Sequence, residues 1–251
     1  MGAESKLAAL RAAVEDAYRT FETARPEKWS GDDLDLGREY WARLETVPLR
    51  ELNRSDTDHF LSETGRFLRH EIRYILPRVI ELLAEGESPH AAGMECSLNC
   101  LAQSGYPQDW TDGEVAAVEA FFAQLLDATI AGVLESDGIG TLFCMVANAH
   151  GDLPALLDRG DRADPKTLAR AIASDLDIIG GLDADGGLIN AFWETAPGEH
   201  KVSMVDWYRR PKLVSVMEQA FFSETDPRWQ QKISDALETM RRWPPRDTPS
   251  A

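Results

Sequence analysis

Leu7, Leu10, Val14, Tyr18 and Phe21 recur every three or four positions. That is the spacing of one apolar stripe on an amphipathic helix, and it predicts a helix over residues 4–21. Pro26, Gly31 and three aspartates then break the pattern, leaving an acidic loop over 24–35 that carries Trp29. A short helix is expected over 36–44, ending before Pro48. Ser55 with Asp58 three residues on reads as a shortened capping box. The stripe after it runs from Phe60 to Leu83, with Gly65 a point of interruption and Pro77 a kink or a restart. A short helix is expected over 94–103. Thr111-Asp-Gly-Glu114 is a full capping box, and Val115, Val118, Phe122, Leu125, Thr129 and Val133 follow it at helical spacing. Residues 141–149 are apolar on nearly every side, as a buried helix is. Asp164-Pro165 and Asp226-Pro227 each place a capping aspartate before a first-turn proline. Residues 183–187 read as a turn, 188–194 as a helix, and 202–222 as a helix pair split at Pro211.

No run alternates β-branched and polar residues, so strands are not expected. The chain reads as all-α, with about nine to eleven helices in antiparallel pairs, as a compact bundle or a short irregular HEAT-like stack. A single domain is expected over 1–243, weakly subdivided near 151–164, with a flexible tail over 244–251.

Charge narrows the partners. The chain has 251 residues, with 26 lysines and arginines against 43 aspartates and glutamates, a net −17. Both halves are acidic. A surface of this sign opposes nucleic acid and anionic membranes and speeds encounter with a basic protein. The longest uncharged run, 138–151, is short of the ~18 residues a spanning helix needs. The first residues lack the apolar segment of a secretory signal. Three cysteines suggest a reducing, cytoplasmic setting without a disulfide framework.

Candidate chemistry is sparse. Cys96 and Cys100 share a helix face near His90, but a closed zinc site needs four ligands, so no metal is expected. Asp183, Asp185 and Glu194 match positions of a calcium loop. The pattern fails at Leu188, where that loop requires glycine. His70-Glu71 lacks the second histidine of a zinc-protease helix, and Gly138-Ile-Gly140 lacks a preceding strand. No catalytic residue and no cofactor is assigned. Trp29, beside Lys28 and the acidic loop, has the setting of an aromatic partner anchor. Asp32, Asp33 and Asp35 would surround it with negative charge. An alternative ligand site would gather His150, Asp152, Asp183 and Asp185 from separate turns.

Three stretches, HEIRYILPRVIELLAEG (70–86), AVEAFFAQLLDA (117–128) and AFWETAPGEHKVSMVDWYRRPKLVSVMEQAFF (191–222), resemble uncharacterised bacterial all-helical proteins. Some of these resemble immunity proteins of polymorphic toxin systems. The resemblance implies a bacterial cytoplasmic protein that binds another protein. Together with the charge, it sets the expectation of an acidic, immunity- or antitoxin-like module that occludes a basic effector such as a nuclease. A helical enzyme or small-ligand binder is the alternative. A homo-oligomeric scaffold is a third reading, to be recognised by an exposed apolar patch.

Overall fold

The apolar stripes fold as helices, and the departures from expectation lie mainly at their ends. A computed structural model describes residues 2–30, 38–134, 138–178, 188 and 191–242. Among these residues there are twelve α-helices, a few short 3-10 turns and no strand. The helices are α1 (Ala3–Thr20), α2 (Arg38–Thr46), α3 (Arg54–Ser62), α4 (Arg69–Ala84), α5 (Asn99–Gln103) and α6 (Asp112–Ile130). They continue as α7 (Ile139–Asn148), α8 (Leu153–Gly160), α9 (Pro165–Ile178), α10 (Gly198–Tyr208), α11 (Pro211–Ser223) and α12 (Pro227–Arg242).

The caps explain most boundaries. Thr111 accepts from the Glu114 N–H while the Glu114 carboxylate accepts from the Thr111 N–H, so α6 starts where its capping box places it. Asp164 accepts from the Thr167 N–H at the start of α9. The cap of α3 is Asn53, not Ser55: its Oδ1 accepts from the Asp56 N–H at 3.1 Å, and Asp56 answers at 2.8 Å. Asp56 also binds Arg43 of α2 through two 2.7 Å bonds. That tertiary contact favours the earlier cap. α4 runs through Pro77. The helix expected over 188–194 is a 3-10 turn, Ala191–Thr195. The count exceeds eleven partly because 151–164, the expected subdivision, holds α8, started by Asp152 and a first-turn proline.

α1 lies along α6 and on α4, and α12 lies on α9 and α11. α7 touches α5, α6, α8 and α9, and every side chain on it is buried. Repeats in a solenoid touch only their neighbours. Here α1 packs on α6 and α6 on α9, so the helices form a bundle rather than a HEAT-like stack. One continuous apolar cluster runs from Leu10 of α1 to Met240 of α12.

A buried ionic joint closes the α9–α12 side. The Glu224 side chain, after α11, is fully covered. It accepts two bonds from Arg170 at 2.8 and 2.9 Å, lies 3.2 Å from Lys166, and accepts the Thr225 and Asp226 N–H groups. Arg170 in turn sits over the Trp229 ring at 5.3 Å. The Arg170 bonds, then the Asp226 N–H, hold the Glu224 carboxyl far below the usual carboxylate range. A carboxyl lowered in the folded state adds stability above its unfolded pKa of about 4.3, and that stability fades as pH falls below it. Thermal melts between about pH 7 and pH 3 should therefore show a larger acid loss for the wild type than for Glu224→Gln. The variant should already be less stable at neutral pH. Equal slopes for the two proteins would refute this account.

Candidate functional site

Most of the excess charge sits in one segment. Residues 79–158 contain thirteen aspartates and glutamates and no lysine or arginine. The fold brings part of this segment to one end of the bundle, around the N-termini of α4, α6 and α8. Asp109 receives Arg69 at 2.7 Å, and Glu114 receives Arg73 at 2.7 Å. Arg73 also lies over the Trp110 ring at 5.1 Å. Glu119, one turn and a half further along α6, accepts the Tyr106 hydroxyl at 2.7 Å and the Asp152 N–H at 3.0 Å. Asp109, Asp112 and Glu114 thus stand at or just before the start of α6, and Glu119 on the same helix is bonded to Asp152 at the start of α8. Both arginines that reach this end are already engaged.

Asp112 and Asp152 are exposed. Asp112, at the first position of α6, has the favourable electrostatic place for an acid at a helix N-terminus. Asp152 uses one oxygen to accept the Ala155 N–H at 3.0 Å, capping α8. Burial, opposed by the bonds from the Tyr106 hydroxyl and the Asp152 N–H and assisted by the Asp152 carboxylate, pushes the Glu119 carboxyl up. Burial and the Glu119 carboxylate hold the Tyr106 phenol protonated. Leu68, 55 % exposed at the start of α4, adjoins Arg69 and gives this end an apolar edge. Chemically, the surface suits cationic side chains with an aliphatic neighbour.

The residues singled out from the sequence divide sharply. Asp32, Asp33, Asp35, Asp183 and Asp185 lie outside the described residues, as does the 244–251 tail. Trp29 is not a surface anchor: it is 1 % exposed. Its ring meets Phe60, Phe67 and Tyr74 edge-on at 6.1, 6.3 and 5.9 Å. The Ser30 N–H next to it donates to the buried Glu71 carboxylate, which also receives the Leu68 N–H. Those contacts pull a polar-looking loop into the core. Asp152 does lie beside Glu119, and His150 is two residues before it in the chain. His150 is exposed and has φ +62°, and it ends α7 with the Gly151 N–H bonding back to Val146. Its backbone is thus explained by the helix end.

The other chemical candidates fall to structural roles. Burial pushes the Cys100 thiol up to about 12 and raises Cys96 and Cys144 as well, which opposes thiolate chemistry. Burial lowers the His90 imidazole, with Asp58 opposing. Among the described residues, no three histidines, cysteines or acids gather as a metal-holding group, and no helix is long and apolar enough to cross a membrane. No protein-family model, curated protein or solved structure matches the chain. The acidic end was visible in the sequence as a basic-free run, but only in a count over 79–158 rather than over halves.

Proposed function

We propose that this protein is a binding module that receives a basic partner protein on the acidic end around α6 and α8 and occludes it, as an immunity protein does its toxin. The observation that carries this reading is the run of thirteen acids without a lysine or arginine, part of which converges on Asp109, Asp112, Glu114, Glu119 and Asp152. Exposed negative charge of this kind, Asp112 and Asp152 foremost because Asp109 and Glu114 are already paired with Arg69 and Arg73, raises the rate of encounter, and desolvated apolar contacts such as Leu68 hold the complex once formed.

Asp112→Lys combined with Asp152→Asn tests the reading. Asparagine keeps the capping oxygen of α8, and position 112 is exposed, so the fold is retained. The tagged protein is used to capture its partner from host lysate, and association is then timed with the purified partner. The variant should associate about tenfold more slowly at ~50 mM salt and nearly as fast as wild type at ~500 mM. An acidic partner would sink the functional reading. Unchanged rates at low salt, with loss seen instead in Asp32→Asn/Asp33→Asn/Asp35→Asn, would move the surface to the 24–35 loop.

A further inference from the structure

The α11–α12 hairpin has the opposite electrostatic character. Residues 211–242 hold five acids and five bases, and one of the acids, Glu224, is covered, so this hairpin carries little net charge on a chain of −17. It also carries the most exposed large apolar side chain among the described residues, Phe222, at 83 %. Phe222 stands edge-on to Phe221, 5.3 Å between centroids. The two rings help to line a groove of about 510 Å³ between α11 and α12, together with Leu237, Ser234, Glu238 and the Glu218–Arg241 pair at 2.6 Å.

From this we infer that the α11–α12 face is the contact between two copies of this chain, with Phe222 of each copy seated in the groove of the other. Two features select a second copy as the occupant. A two-fold contact uses the same patch on both molecules, so the patch must carry its own knob and its own hole. Phe222, at the exposed edge of the groove it helps to line, supplies the knob, and the groove supplies the hole. Two chains of −17 also repel over most of their surfaces, and a locally neutral face lets them approach with the least like-charge contact. The Glu218–Arg241 border adds both signs at the rim, where two-fold packing can set each charge against its opposite. An exposed aromatic entering a groove that offers Phe221 and Leu237 is the kind of residue that dominates interface energies.

Sedimentation equilibrium on the full chain tests this, over about 1–100 µM, a range that brackets affinities usual for modest interfaces. Wild type should show a monomer–dimer equilibrium that strengthens as salt rises, since screening removes the repulsion between copies. That salt response has the opposite sign to the one expected for a basic partner at the acidic end. Phe222→Asp should weaken association at least tenfold, with an unchanged melt because the side chain packs little. Val202→Asp, at a 41 % exposed site on α10, should leave association unchanged. A chain that stays monomeric throughout overturns the inference; its groove then belongs to another protein or to the chain's own 243–251 segment. A dimer that survives Phe222→Asp also overturns it, because some other face then makes the contact.

Discussion

Trp29→Ala should lower the free energy of unfolding by about 3–5 kcal/mol, the usual cost of removing a buried large aromatic. Trp29 joins the loop after α1 to α3 and α4 through Phe60, Phe67 and Tyr74. Emptying the site leaves those three rings facing a cavity that the helices cannot close without moving. A surface anchor would behave differently, since exposed substitutions usually stay within about 0.5 kcal/mol. Urea unfolding therefore separates the two roles cleanly. Trp29→Phe sharpens the test. The indole N–H of Trp29 is buried and has no hydrogen-bond partner among the described residues, and phenylalanine removes that donor while keeping much of the ring. The variant should cost less than about 1.5 kcal/mol. If alanine at this position left the urea midpoint unchanged, the packing described for the 21–30 loop would be wrong.

The helices were legible because their signals are local. The Thr111–Glu114 box and the Asp164-Pro165 pair each need only three or four residues to act, and both sit where the sequence places them. What the sequence hides is tertiary. Asn53 takes the cap from Ser55 because Arg43, on another helix, fixes Asp56. α8 was missed because Gly151, Asp152 and Pro154 look like loop residues, although an aspartate cap and an early proline also begin helices. Trp29 looked exposed because its neighbours in sequence are polar, whereas its neighbours in space are aromatic. Of the candidate surface, only Asp152 and its neighbour His150 stand out in the sequence as site residues. Glu119 and Tyr106 gained their place from a bond across 13 residues. No periodicity encodes such a bond.

The charge pattern joins these threads. A net −17 would ordinarily be read as diffuse solubility. Its concentration in 79–158, and the near balance of charge in 211–242, are what the two proposals rest on: an end for a basic partner and a face for a like molecule. Phe222 and Leu68, exposed on those two regions, are apolar contacts placed in different electrostatic settings. Salt should therefore act in opposite directions on the two associations, a distinction that neither net charge nor burial alone would reveal.

Asp175→Ala should be the other severe lesion, at about 2–6 kcal/mol, because it orphans two buried donors at about 1–3 kcal/mol each. Asp175 belongs to α9, and its position in the sequence resembles any exposed helix acid. It is instead 2 % exposed. One oxygen accepts the Gly140 N–H at 3.0 Å, at the start of the buried helix α7, and the other accepts the Tyr208 hydroxyl. The side chains of α7 are buried, and at its half-buried start a carboxylate from α9 accepts a first-turn N–H that the helix itself leaves unpaired. Burial raises the Asp175 carboxyl despite both bonds and raises the Tyr208 phenol further. The charge is thus costly to hold there, yet its acceptors are what α7 requires. Asp175→Asn keeps an acceptor for Gly140 and should lose less than alanine does. Gly140 supplies the decisive control. A Cβ at that position would lie 2.5 and 2.7 Å from the two Asp175 oxygens, so Gly140→Ala should destabilise the wild type. With Asp175→Ala already present the obstruction is gone, and the helix preference of alanine over glycine, about 1 kcal/mol, should make the same change stabilising. A reversal of sign in urea melts of the two backgrounds would establish that Asp175 packs directly on the start of α7. Equal costs in both would show that it does not.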